Sequence, residues 1–287
     1  MRLAPEWLLL FGIVLAFSAP PRLFAQATGV AADPARTAVS VPFVGCASSV
    51  QIETFEAPKG TSKKVPISPR DAAALAYYES ADGIGLLAPR NWFCEGASGS
   101  GGATLFLSPK PIRLRMSGWE GLEGTAIELN YASGENSGRY DIAEIMSRVF
   151  PKYRADARRV WEAIDLPLPS GPYPKDTLKY ISDTVVEFKT PAETDGLGNF
   201  HSWLKKSGTP IQGVAILFAD PRHSTLSSAR LVRLSVRLSP DLARLATTII
   251  GYVERNQPGG RHAAAGKTGR PPRSLQRPAQ GLPSHAE

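Results

Sequence analysis

The chain has 287 residues, 43% of them hydrophobic, with 33 basic and 26 acidic side chains and a formal charge of +7. That length suits one large or two small domains and supplies ample core, while the presence of only Cys46 and Cys94 excludes a small disulfide-dense scaffold. Of the charge, +4 falls after Asn256 (Arg261, Lys267, Arg270, Arg273 and Arg277 against Glu287) and +1 in residues 1–27, so the +2 left on the body does not argue for a fold that binds nucleic acid.

The amino terminus reads as a targeting segment. Arg2 supplies a positive start, and WLLLFGIVLAF (7–17) is an apolar run of eleven residues, which Pro20, Pro21 and Arg22 end. A bilayer-crossing helix needs about 20 apolar residues. The small residues of Ala25-Gln26-Ala27 predict a signal peptide over 1–27, cleaved before Thr28. The mature protein would then be periplasmic or extracellular, with no transmembrane span. Residues 28–40, rich in alanine and small polar side chains, are expected to be a disordered leader, and VPFVGC (41–46) the first ordered strand of a single domain over 41–256.

Residues 57–65, with Pro58, Gly60 and three lysines, read as a loop. Ser68-Pro69-Arg70-Asp71 then predicts a helix start, because serine caps free N–H groups and proline fits the first helical position. That helix is expected to run to about Ala81, with IGLLA (84–88) as the next strand.

The stretch NWFCEGASGSGGATLFL (91–107) raises a question of chemistry. In an exported chain, an even pair of thiols favours a Cys46–Cys94 disulfide. The loop it closes holds 47 intervening residues, for which chain entropy gives about 4 kcal/mol. A nucleophilic Cys94 would need a base. Outside the tail (with His262 and His285) only His201 and His223 are available, and neither lies in a papain-like or caspase-like signature. A nucleophile elbow needs G-x-S-x-G; the window around Ser98 lacks its second glycine and that around Ser100 its first. The ordinary reading is a flexible glycine-serine connection between two strands.

TAIELNY (125–131) alternates, with Ile127, Leu129 and Tyr131 on one face and Ala126, Glu128 and Asn130 on the other, predicting a half-buried strand. After the polar turn 132–139, Ile142, Ile145, Met146, Val149 and Phe150 form a helical stripe. Pro151 interrupts it. A second helix over 152–164 should turn Tyr153, Ala157, Val160, Trp161 and Ile164 inward and leave Arg154, Arg158 and Arg159 as a solvated basic face. The segment 165–174 carries four prolines and is the one internal sub-boundary.

Strands are expected over 178–181 and 184–189, followed by a long loop, 190–203, holding Glu193, Asp195 and His201 without any established metal-ligand spacing. QGVAILFA (212–219) reads as a strand buried on both faces. Residues 229–238 alternate, placing Val232, Leu234, Val236 and Leu238 inward and Arg233, Ser235 and Arg237 outward, and the nine-residue connection makes the two an antiparallel pair. Ser239-Pro240-Asp241 starts a helix with Leu242, Leu245, Ala246, Ile249, Ile250 and Val253 on its sheet side. Its likeness to SPRDAAALA (68–76) is shared helix-start chemistry rather than a repeat.

The basic tail 257–287 has almost no large apolar residues and is expected to be disordered. Its AAGKTG lacks the first glycine of a phosphate loop, since Arg261 stands there. Weak, salt-sensitive contact with anionic polymers is its expected interaction.

The segments VPFVGC, LAYYES, LLAPRNWFC, SGRYDIAEIMSRVFP, PYPKDTLKY, TPAETDGLG, PIQGVAIL and LSVRLSPDL, in that order, resemble a group of uncharacterised secreted bacterial proteins. The resemblance spans 41–254. It implies export and one cooperative domain, and carries over no mechanism and no site residues.

The residues therefore predict an α+β domain: a mainly antiparallel sheet with amphipathic helices packed on it, one disulfide and a basic tail. No cofactor, metal or specific nucleic acid is implied. The leading functional expectation is a non-enzymatic binding protein of the bacterial envelope, touching its partner through the loops 133–139 and 190–203. The alternative is a hydrolase using Ser98 or Ser100 with His201 or His223 as base and Asp195 or Asp220 behind it.

Overall fold

The computed structural model describes residues 38–50, 53–112, 121–169, 171–219 and 226–256. The expected signal peptide 1–27, most of the leader, the tail 257–287, Asp220 and His223 lie outside the described residues. In chain order the elements are β1 (Ala38–Cys46), β2 (Ser48–Val50), β3 (Glu53–Phe55), β4 (Ser62–Pro66), α1 (Pro69–Ala74), β5 (Leu75–Ser80), β6 (Gly85–Pro89), β7 (Phe93–Gly99), β8 (Gly102–Ser108), β9 (Ala126–Ser133), α2 (Gly138–Val149), α3 (Arg154–Glu162), β10 (Thr177–Ser182), β11 (Val185–Thr190), β12 (Ile211–Phe218), β13 (Arg230–Arg237) and α4 (Leu245–Asn256).

The strands form a sheet of nine, ordered β10-β11-β12-β13-β9-β8-β7-β2-β3, and a sheet of four, ordered β4-β1-β5-β6. Neighbours are antiparallel except β1–β5 and β2–β7. The fold is α+β with mainly antiparallel sheets. In the larger sheet the strands after the proline-rich connection 165–174 (β10 to β13) form one block and those before it (β9, β8, β7, β2 and β3) another, and the two blocks join in a single sheet at the β13–β9 pair.

Period-two alternation divides the core between the two faces of that sheet. Ile127, Leu129, Val214, Ile216, Val232, Leu234 and Val236 point to one face, where the small sheet and α4 (Leu245, Ile249, Val253) cover them. Ala126, Ala132, Ala215, Leu217 and Leu231 point to the other, beneath α2 and Leu197 and Leu204 of the long loop. The molecule is thus layered on both sides of its central strands.

That second layer overturns two expectations. The 125–131 strand is buried on both faces rather than one: Ala126, Ile127, Glu128 and Leu129 are all sequestered. Arg233, Ser235 and Arg237 do not face water but are enclosed, because α2 and the long loop close over their side of β13. Ile164, expected inward, is exposed.

Other boundaries also move. The helix beginning at Ser68, whose hydroxyl accepts from the Asp71 N–H at 3.1 Å, ends at Ala74 rather than near Ala81. LAYYES is instead strand β5, held between β1 and β6. Its tyrosines suit a pleated, half-buried surface better than a helix interior, and Tyr78 is wholly buried with its hydroxyl donating to Pro89 O at 2.8 Å. Residues 38–40 of the expected leader pair with Lys64–Pro66, so β1 starts earlier and the loop 57–65 ends in strand β4. Most of the glycine-serine run is strand: Gly99 pairs with Gly102, so only Ser100 and Gly101 turn the hairpin. Residues 240–244 are turns, and α4 begins at Leu245.

The chain passes from the small sheet to the large one at Ala47, between β1 and β2. Cys46, at the end of β1, is disulfide-bonded to Cys94 on β7, with Cα atoms 5.5 Å apart. The bond therefore joins the two sheets beside the crossing.

Candidate functional site

The first turn of α2 is where three separate segments meet. Gly138 opens the helix against the β7–β8 hairpin tip; a Cβ there would lie 2.1 Å from Gly101 O, so only glycine lets the two backbones approach. Ser137, just before it, makes no capping bond to its own helix. Its hydroxyl instead lies 3.0 Å from that of Ser100. Glu135, in the same turn, is ion-paired with Arg230 of β13.

The third segment is the long loop between β11 and β12, which its surroundings hold at every turn. Asp176 accepts from Leu197 N–H at 2.7 Å, Thr190 Oγ1 from Gly198 N–H at 3.0 Å, and Asn199 Oδ1 from Gly196 N–H at 2.9 Å. Arg233 then reaches out of the sheet to the carbonyls of Phe200 and His201. Glu128, 3.3 Å from Arg233, accepts from Ser202 Oγ and from Trp203 N–H, each at 2.8 Å. Arg237, fully buried, donates to the carbonyls of Leu122, Gly124 and Lys205. Buried polar groups left unpaired are costly, so these contacts explain how charged side chains sit beneath a loop. Burial pushes the Glu128 carboxyl above the usual carboxylate range, against the opposing pull of Arg233 and its hydrogen bonds.

This scaffold presents His201 at the surface. Its backbone is left-handed, with φ 41°, a conformation that costs a non-glycine residue energy and persists only where the surroundings enforce it. The ring stacks on Phe200 with centroids 4.0 Å apart, and Phe200 in turn packs against Tyr173. Nδ1 lies 2.8 Å from Asp141 Oδ1 on α2. The Asp141 hydrogen bond raises the His201 pKa above the ordinary histidine value, partly offset by burial.

Ser137 and Asp141 are four residues apart on α2, hence neighbours on one helix face. The Ser100–Ser137 hydroxyl pair and the Asp141–His201 pair consequently share one rim. Both expected contact loops, 133–139 and 190–203, contribute to it. Beside the rim, between α2 and α3, is an open cleft of ≈ 260 Å³ lined by Arg139, Tyr140, Arg159, Ile164 and Leu226. The Arg139 guanidinium lies over the Tyr140 ring at 4.9 Å and donates to its hydroxyl at 3.0 Å.

Of the sequence-derived candidates, Ser100 and His201 come to this rim without bonding each other: the hydroxyl of Ser100 meets Ser137, and Nδ1 of His201 meets Asp141. Ser98 is half-buried within β7, opposite Ala103 and Val50. Asp195, considered as the orienting acid, pairs with Lys206 at 2.6 Å instead. Cys94 is spent in the disulfide and is no nucleophile. Arg159 of the expected solvated face pairs with Asp156 at 2.9 Å. Among the described residues no group of three or more His, Cys, Asp and Glu side chains gathers as a metal site requires.

Sequence reasoning missed Asp141, Glu128 and Arg233. Asp141 looks like any acid in a first helical turn. A charge at alternating positions of a strand reads as solvent-facing unless the covering layer is known. The chain matches no family model, and no matching curated protein or solved structure was found.

Proposed function

We propose that the protein is exported and serves as a non-enzymatic binding domain in the bacterial envelope, contacting its partner through the rim of α2 and the adjoining cleft. One observation carries this reading: the loops 133–139 and 190–203 converge on one helix turn, linked by the 2.8 Å Asp141–His201 contact. Supporting it are the Cys46–Cys94 disulfide, which belongs to oxidising compartments, and the character of the surface. Arg139, Tyr140 and His201 offer aromatic and cationic anchors around an apolar floor, the composition that interface centres favour. No helix among the described residues is long and apolar enough to cross a membrane.

The test is co-sedimentation of the full chain with isolated bacterial envelopes, comparing the native sequence with Arg139→Glu and His201→Ala. Binding that both variants reduce supports the reading. Binding that neither alters, in protein with its disulfide intact, removes the rim as the contact surface.

A hydrolase remains the second reading, because Asp141 behind His201 matches the orienter–base pair of acyl-transfer sites, with the hydroxyls of Ser100 and Ser137 on the same rim. Turnover of ester or amide substrates abolished by both Ser100→Ala and His201→Ala would establish it and displace the first. Turnover unaffected by either would exclude this site.

A further inference from the structure

A second surface lies away from the α2 rim, at the opposite edge of the structure's larger sheet from β3. Among the described residues β10 pairs with β11 alone and ends the sheet. Its outer row of N–H and C=O groups is an open template for another strand. Beside it is a groove of ≈ 390 Å³, bounded by Thr177, Lys179, Glu187 and Lys189 of β10–β11 and by Thr247, Glu254 and Arg255 of α4. It exists because α4 packs on β12 and leaves this face of the last two strands uncovered.

We infer that β10 is a docking edge for an extended acidic segment of another protein, added as a tenth strand. The side chains of β10 specify its pattern. Thr177 and Lys179 point to the groove side, where the cations of Lys179, Lys189 and Arg255 exceed by one the carboxylates of Glu254 and of Glu187, which Lys179 holds at 2.9 Å. Leu178 and Tyr180 point to the other side, Tyr180 being 51% exposed. Directly opposed residues share a face, so the matching segment alternates acidic with apolar or aromatic residues. Main-chain bonds supply affinity, and the alternate side chains supply selection.

A second copy fits the same edge poorly. Pairing β10 with itself about a two-fold axis sets Lys179 against Lys179, leaves only Thr177 to Lys179 paired, or runs into the irregularity between Tyr180 and Ser182. Such a bulge twists an edge away from long sheet-to-sheet contact. It leaves the regular stretch Thr177 to Tyr180 for a short segment.

The experiment is fluorescence anisotropy on the full chain with a short labelled peptide alternating valine and glutamate. Three further peptides serve as comparisons: one with lysine for glutamate, and two N-methylated on alternate amides in either register. The expected result is saturable binding of the acidic peptide, loss with the lysine peptide, and loss with one methylated register only. Lys189→Glu, a change at an exposed position, should weaken binding about tenfold or more. Equal binding of both methylated registers and the parent overturns strand addition, since charge alone then suffices. Equal binding of the lysine peptide overturns the acidic assignment. A dimer in sedimentation that Tyr180→Asp dissociates, with no peptide binding, overturns the inference in favour of self-pairing.

Discussion

The Glu128 carboxylate and the Arg233 guanidinium face each other across 3.3 Å between the large sheet and its loop, with side chains 2% and 3% exposed. Each also holds loop backbone, Arg233 through Phe200 and His201 and Glu128 through Trp203. The pair is therefore the fastener by which β9 and β13 fix the segment that displays His201. Removing one member leaves an uncompensated buried charge.

Arg233→Met should consequently lower stability by about 3–5 kcal/mol, read as a fall in the urea midpoint. Adding Glu128→Gln to it should recover part of that loss, because the stranded carboxylate disappears with its partner. A single variant within about 1 kcal/mol of the native protein would show that the loop is held by other means.

The His201–Asp141 contact predicts a pH response with a definite sign. Asp141 raises the His201 pKa in the folded state above its unfolded value. The contribution is thus fully present below the unfolded pKa and is lost as pH rises through the folded one. Both side chains are half-exposed, so solvent keeps the effect on global stability small. It should appear locally: the His201 ring resonances titrate above the ordinary histidine value, and Asp141→Asn brings the midpoint down. Amide exchange in residues 196–203 should quicken as the imidazole loses its proton. An unchanged midpoint in the Asn variant would deny the pair its role.

The disulfide should be recoverable intact, with neither Cys46 nor Cys94 alkylated before reduction. Replacing both with serine removes the crosslink between β1 and β7. The loop spans 48 residues of sequence separation, for which the loss is about 4 kcal/mol, seen as a lower denaturant midpoint. A midpoint unmoved by the double replacement would mean that the sheets need no tie at the crossing.

The fold was legible where burial follows from a residue's own alternation. Val232, Leu234 and Val236 and the stripe of α4 read correctly because they are apolar and periodic, whatever lies above them. Arg233 and Arg237 misled because their burial depends on a loop that only tertiary structure brings over the sheet. LAYYES misled in the opposite way: a capped helix start ran into residues whose β-preference prevailed once β1 and β6 flanked them. At the rim, His201 and Ser100 were visible as polar side chains in loops. Asp141, the residue that gives His201 its orientation, carried no local mark, since it lies 60 residues away in sequence. The meeting of the loops at α2 depends on Gly138 and on the tightness of a hairpin that composition alone presented as flexible.

That tightness can be tested by two glycines at the same turn. Gly99 and Gly102 pair across the hairpin and flank Ser100 and Gly101. Nothing lies within 4 Å of a Cβ built at Gly99, whereas one at Gly102 would sit 1.9 Å from Tyr131 O on β9, on a backbone with φ 145°. Gly99→Ala should leave the melting temperature nearly unchanged or slightly raised, because it restricts the unfolded chain without strain. Gly102→Ala must displace β9 or the hairpin and adopt a conformation that L-residues avoid, at a cost of roughly 1–3 kcal/mol. Since the tip carries Ser100 to Ser137, the second variant should also disturb the α2 rim, visible as shifted Asp141 and His201 resonances. Equal effects from the two substitutions would mean that the hairpin turns in another register, with Ser100 carried away from α2.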